Sequence, residues 1–266
     1  MHMSNQDLSV LKSKKLFLLD QDGTIYNDGL LFDVTLPFLK AIKDHGGQYV
    51  FITNNSSKSV DAYVEKLQVM GVPVTKEQFL TSSQATALYL QEHFPNKSVF
   101  CVGTESLKQE LRQAGIRLKN HLEADVALLG YDTELTYQKL SQLSEMLLTR
   151  DVPYIATNPD WVCPTRFGAV PDCGSMAQMI EHATKKLPFF IGKPRPTMIE
   201  LAMSRFGVNK EDTVVIGDRI YTDVLSGKNA GVTTVLVLSG EATLTDVKKS
   251  PDKPDFVIKN IGEIFK

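Results

Sequence analysis

Cysteine is scarce. The 266-residue chain has three, Cys101, Cys163 and Cys173, and none forms a C-x-x-C pair. This excludes a disulfide framework and a thiolate zinc site, and a reduced setting fits best. Tryptophan is scarcer still, with Trp161 alone. Neither sign of charge prevails: 29 Lys and Arg face 31 Asp and Glu, for a formal charge of −2. Such a chain offers no electrostatic footprint for nucleic acid or an anionic membrane, so neither is an expected partner. Long apolar runs are missing too, none approaching the ~18 residues that cross a bilayer. Met1 to Asp7 carry no basic-then-apolar signal pattern, and the expected location is cytoplasmic. What is present is an ordinary globular balance, 42% hydrophobic and 23% charged, enough for one large α/β domain or two modest ones.

The apolar residues fall into a regular order. Lys15 to Leu19 is a short continuous apolar burst ending in a polar turn, the pattern of a strand buried on both faces. Thr35 to His45 has helical spacing, with Pro37 in its first turn and Gly46-Gly47 behind it. Tyr49 to Ile52 predicts a second buried strand, and Ser59 to Met70 a second helix closed by Gly71. Strand and helix alternate again near the C-terminus: Phe189 to Ile191, Thr197 to Phe206, Thr213 to Ile216, Asp223 to Ala230, Thr234 to Leu238 and Phe256 to Ile258. This alternation predicts a doubly wound parallel α/β sheet. Between the halves lies a separate α/β block. Strands are expected at Val99 to Val102, Val126 to Leu129 and Tyr154 to Ala156, with helices at Glu105 to Gln113 and Tyr137 to Leu148. The expected division is residues 1–83 plus 183–266 for a discontinuous core, and residues 84–182 for the insert.

In open α/β sheets ligands sit beyond the carboxyl ends of the strands. There the first strand delivers Asp20-Gln21-Asp22-Gly23-Thr24 and the second Thr53-Asn54. Later strands deliver Lys193 and Asp218, with Asp223 five positions on. Crowded carboxylates repel and raise one another's pKa. A hard divalent cation such as Mg²⁺ would relieve that. Each residue alone also has a plain reading as a turn former, helix cap or solvated lysine. A calcium loop starting at Asp20 fails, since Ile25 and Leu31 stand where Gly and Glu are needed. A P-loop at Gly192-Lys193 fails because Leu187 and Pro194 replace its Gly and Ser/Thr.

Four segments in order resemble the motifs of the haloacid dehalogenase (HAD) superfamily: Asp20 to Thr24, Thr53 within Phe-Ile-Thr-Asn-Asn, Lys193 within Gly-Lys-Pro, and Gly217 to Asp223. The long interval from Thr53 to Lys193 resembles the class IIA arrangement, in which an α/β cap is inserted into a Rossmann-like core. Thr53-Asn54-Asn55, Ala156 to Asp160 and Gly192 to Pro196 resemble the NagD-like phosphatases in particular. Gln21 departs from the pattern, an apolar residue being more usual there.

The resemblance implies a Mg²⁺-dependent phosphatase acting on a small phosphorylated metabolite, a sugar phosphate or nucleoside monophosphate. Asp20 would be the nucleophile that forms an aspartyl-phosphate. Asp22 would serve as general acid and then general base. Asp20, the Asp22 backbone carbonyl and Asp218 would hold the metal, with Asp223 behind them. Thr53, Asn54 and Lys193 would hold the phosphate. Asn158, Asp160, Trp161 and Arg166 are the candidate specificity residues of the cap. For Trp161 a core role outweighs stacking on a substrate ring. Related proteins often pair through their caps, so a homodimer is one expected assembly. Rival readings are a pyridoxal phosphate phosphatase, a phosphotransferase or mutase on the same scaffold, and a catalytically silent phospho-ligand binder.

Overall fold

The computed structural model describes residues 7–165 and 167–266. They form two compact units: one of residues up to Ile52, Val64–Leu80 and Lys193–Lys266, and one of Thr53–Tyr63 and Thr81–Gly192.

The first unit is built on a six-stranded sheet. In spatial order its strands are Phe256–Ile258, Thr233–Val237, Thr213–Gly217, Leu16–Leu19, Gln48–Thr53 and Phe79–Thr81. Leu16–Leu19 pairs in parallel with Thr213–Ile216 on one side and with Gln48–Phe51 on the other. All four of its residues are buried, which is why the strand reads as an unbroken apolar run. Burying one such Leu contributes about 1.5–3 kcal/mol. The chain leaves this central strand toward one edge and later returns to build the other. The boundary between Leu16–Leu19 and Thr213–Gly217 is therefore a topological switch point, where the strand ends open a crevice.

The helices Thr35–Asp44 and Thr197–Phe206 match their apolar spacing. The helix expected from Asp223 starts otherwise. Ile220–Val224 makes a π-helical turn before the α-helix Leu225–Ala230, a wider winding often found at functional sites.

The second unit has its own five-stranded parallel sheet, in the order Phe189–Phe190, Tyr154–Ala156, Val126–Leu129, Ser98–Val102 and Arg117–Leu118. Its core gathers Phe100, Leu129, Leu143, Met146, Leu147 and Ile180. Side-chain oxygens of Thr104 and Thr136 cap the helices Glu105–Gln113 and Tyr137–Thr149, each cap contributing about 1 kcal/mol.

Three elements differ from expectation. The strand at Phe189–Phe190 belongs to this second sheet and not to the core sheet, because it pairs with Ile155–Ala156 and Phe190 packs on the second unit's core. Helices at Ser82–His93 and Cys173–Thr184 were not marked by strong apolar spacing. The antiparallel ribbon Val162–Thr165 with Gly168–Pro171 is disguised by its two prolines, which argue against a strand except at an edge.

Candidate active site

The site begins where Leu16–Leu19 stops. The Asp20 amide still donates to the Ile216 carbonyl at 2.9 Å, so the ladder fixes the residue that carries the first carboxylate. Its Oδ1 lies 2.6 Å from Lys193 Nζ. The same ammonium lies 2.6 Å from Asp223 Oδ1. Lys193 was expected from a core strand. The chain instead reaches it just after the Phe189–Phe190 strand of the other sheet. Its side chain is 4% exposed, that of Asp223 1% and that of Asp20 18%. Burial works against the Lys193 charge, but Asp20 and Asp223 outweigh it and raise its pKa.

Asp223 is placed by the π-helical turn. The Arg219 amide donates to its Oδ2 at 3.2 Å, and its carboxyl packs across Gly217, where an added Cβ would come within 2.3 Å of Cγ. Burial lifts its pKa to about 6, with Lys193 pulling down and Asp20 pushing up.

Asp218 follows the Thr213–Gly217 strand directly. Its Oδ2 accepts from the Glu241 amide at 2.7 Å. Gly23 and Gly240 close around it, and a Cβ on either would sit 2.4 Å or 2.1 Å from Oδ2. Gly23 also has φ +78°, so the turn after Asp22 needs glycine on both counts. The other oxygen, Asp218 Oδ1, is buried with no hydrogen-bond partner. Burial, then the charges of Asp20 and Asp223, raise this carboxyl to about 7.

One oxygen from each of Asp20, Asp218 and Asp223 lies within 4.8 Å of the others. Asp20 and Asp223 share one close ammonium, and a buried oxygen of neighbouring Asp218 has no hydrogen-bond partner. The donor set is all oxygen. Those observations fit a hard divalent cation, with Asp20 and Asp218 as the available carboxylate ligands, since both Asp223 oxygens are held, Oδ1 by Lys193 and Oδ2 by the Arg219 amide, while Lys193 takes only Oδ1 of Asp20.

Asp22 sits beside this cluster. Loss of surrounding water raises its pKa and the Asp20 charge adds to that, while Lys66, the Tyr26 hydroxyl and Arg219 pull the other way. Arg219, next to Asp218, also pairs with Glu241 at 2.8 Å.

The structure thus brings together Asp20, Asp22, Lys193, Asp218 and Asp223. Thr53 and Asn54 belong to the second unit. There Asn54 Nδ2 donates to Asp160 Oδ2 at 2.7 Å, and the Asn54 carbonyl accepts from Ser82 Oγ at 2.6 Å. Asp160 Oδ2 also accepts from Asn158 Nδ2 at 2.9 Å, and that amide reaches Asp172 Oδ1 at 2.9 Å as well. Asn158 is fully buried, so its amide is spent inside the unit and not presented to a ligand. Trp161 is 56% exposed, which overturns its expected core role. Arg166 lies outside the described residues. Tyr26, Lys66, Gly240 and Glu241 belong to the site but were not found from the sequence, because backbone donors and residues outside the motif segments leave no chemical signature.

Comparison with known proteins agrees with this geometry. A family profile described as haloacid dehalogenase-like hydrolase matches residues 17–117, and an HAD-hydrolase-like profile matches residues 190–264. An acid sugar phosphatase of Staphylococcus aureus is 33% identical over 253 residues, 95% of this chain and 97% of that protein. The crystal structure of a 4-nitrophenylphosphatase from Thermotoga maritima is 41% identical with a TM-score of 0.92, covering 96% of this chain and 98% of that one. NagD from E. coli K-12 is 31% identical with a TM-score of 0.87, covering 94% and 98%. The chain belongs to the haloacid dehalogenase-like hydrolases, in their class IIA, NagD-like phosphatase branch.

Proposed function

We propose that the protein hydrolyses phosphomonoesters of small metabolites, with sugar phosphates first among them and nucleoside monophosphates next, through an aspartyl-phosphate on Asp20. The observation that carries this reading is Lys193 Nζ at 2.6 Å from both Asp20 and Asp223, beside the unpartnered buried Oδ1 of Asp218. Asp20 is the least buried member of that set, and so the one open to a substrate. The names of the relatives, acid sugar phosphatase and 4-nitrophenylphosphatase, support the same class.

Asp20, Asp218 and the Asp22 carbonyl would hold Mg²⁺, which would supply the positive charge that lets an anionic nucleophile meet an anionic ester. Lys193 fixes the Asp20 carboxylate and offsets charge gathering on the transferring phosphoryl group. Asp223 keeps Lys193 aimed at Asp20. Asp22 gives a proton to the departing alkoxide and then takes one from water. The raised pKa of Asp22 suits the first of these tasks. The second unit is the insert that selects the leaving group.

Phosphate release from a panel of sugar phosphates, nucleoside monophosphates, pyridoxal phosphate and p-nitrophenyl phosphate tests the reading. It predicts turnover that is lost with chelator and lost in Asp20→Asn, whose fold persists. Turnover near wild type in Asp20→Asn contradicts it. Substrate binding without phosphate release would favour a silent binder, and substrate consumption that needs an added alcohol and yields that alcohol's phosphate ester a phosphotransferase.

A further inference from the structure

Asp22 is held by side chains that lie outside the four motif segments. Tyr26, four positions on, is fully buried. Its hydroxyl lies 3.0 Å from Asp22 Oδ2 and 3.2 Å from Gln21 Oε1. Lys66 Nζ lies 2.8 Å from the same hydroxyl and 4.0 Å from the centroid of the Tyr26 ring.

Counting protons assigns the directions. An ammonium only donates, so the Tyr26 oxygen accepts from Lys66. The hydroxyl then has one proton for two acceptors, Asp22 Oδ2 and Gln21 Oε1. Asp22 Oδ2 is the nearer of the two, at 3.0 Å against 3.2 Å, and takes it while Asp22 is in place. When Asp22 turns away, Gln21 accepts instead. A buried hydroxyl without an acceptor costs about 1–3 kcal/mol, and Gln21 removes that penalty.

We infer that Tyr26, backed by Lys66, is the positioning residue for Asp22, and that Gln21 is the alternative acceptor that frees Asp22 to turn. The inference rests on the phosphatase reading for what Asp22 does. With Oδ2 occupied by the Tyr26 hydroxyl, Oδ1 is the oxygen presented to the leaving group. As a bond forms from Asp20 to phosphorus, the bond from phosphorus to the alkoxide breaks, and the proton on Asp22 Oδ1 passes to the departing oxygen. Tyr26 keeps its own proton throughout. The role also explains why Gln21 stands where an apolar side chain is more usual in the family.

The test compares Tyr26→Phe and Lys66→Met with wild type on two esters, glucose 6-phosphate and p-nitrophenyl phosphate. The nitrophenolate leaves readily without a proton and the sugar alkoxide does not. A mispositioned acid lowers kcat/KM on the sugar phosphate about tenfold or more, and on p-nitrophenyl phosphate by less than about threefold. Lys66→Met gives the same split with a smaller amplitude, and carries the test if Tyr26→Phe does not fold. An equal fall on both esters, or no fall on either, overturns the inference. A second readout needs no turnover. Crystal structures should show the Asp22 carboxyl at the Tyr26 hydroxyl in wild type and displaced in Tyr26→Phe. An unmoved carboxyl defeats the inference even if the enzyme is an active phosphatase. A carboxyl displaced in Tyr26→Phe, together with a wild-type protein that hydrolyses neither ester, defeats the phosphatase reading alone.

Discussion

Lys193 Nζ and Asp20 Oδ1 are 2.6 Å apart, although the residues are 173 positions apart in the chain. The contact spans most of the sequence because Lys193 enters the first unit only after the second has been completed. It also joins two tasks, since the ammonium that orients the nucleophile is the one that neutralises buried Asp223.

Lys193→Met should therefore damage stability as well as turnover. Removing one partner of a buried ion pair leaves uncompensated charge and costs about 3–5 kcal/mol. The deficit is set by the unpaired Asp223 carboxylate, which already titrates near 6 with Lys193 present. Protonating Asp223 removes the unpaired charge, so the deficit is largest above neutral pH and shrinks on acidification. Urea unfolding of both proteins across pH measures this, and a pH-independent deficit would contradict it.

Asp160 acts within the second unit as a tether for Asn54 and Asn158, accepting from both through Oδ2. Asp160→Ala leaves two amide donors without that acceptor and should destabilise the protein by about 1–3 kcal/mol. Because Oδ2 is already held by two amides within the unit, the order of preference among substrates should be unchanged. Thermal unfolding and kcat/KM across the panel check the two halves, and a reordered panel would restore Asp160 as a specificity residue.

Glu110 offers a pH signal away from the catalytic residues. Burial raises its pKa from 4.5 to about 7, with Ser83 lowering it and Asp61 raising it, and its Oε2 has no partner. The folded pKa exceeds the unfolded one, so the folded state binds more protons between them. Glu110's stabilising contribution is complete below pH 4.5 and disappears as pH rises through about 7. Glu110→Gln should then raise stability on the order of 1–3 kcal/mol in mildly alkaline buffer, with the gain vanishing below the unfolded pKa. Differential scanning at the two extremes reads the difference. An equal gain at both would show that the carboxyl's charge is not the cause.

The parts legible in the sequence are those with local causes. Leu16–Leu19 is buried on both faces and reads as an apolar run. Glu105–Gln113 repeats its apolar residues at helical spacing and starts from a Thr cap. The clustering of Asp20 and Asp218 was legible because strand ends in a parallel sheet share one rim, whereas Lys193 follows a strand of the other sheet and was legible only through its Gly-Lys-Pro segment. What escaped depends on partners chosen by tertiary contact. The spacing of Phe189–Phe190 cannot say which of two sheets it will join. The lone Trp161 gives no sign of its exposure. Tyr26 reads as one more apolar residue after the glycine turn, and only the fold brings Lys66 to its hydroxyl.

The central claim is that Asp20 takes the phosphoryl group. Excess enzyme is mixed with a turned-over sugar phosphate, quenched in acid during the first turnover, digested, and its peptides weighed. The account predicts one added phosphoryl group on the peptide that carries Asp20, and none in Asp20→Asn under the same treatment. A phosphoryl group on another residue, or full turnover in Asp20→Asn, would contradict it.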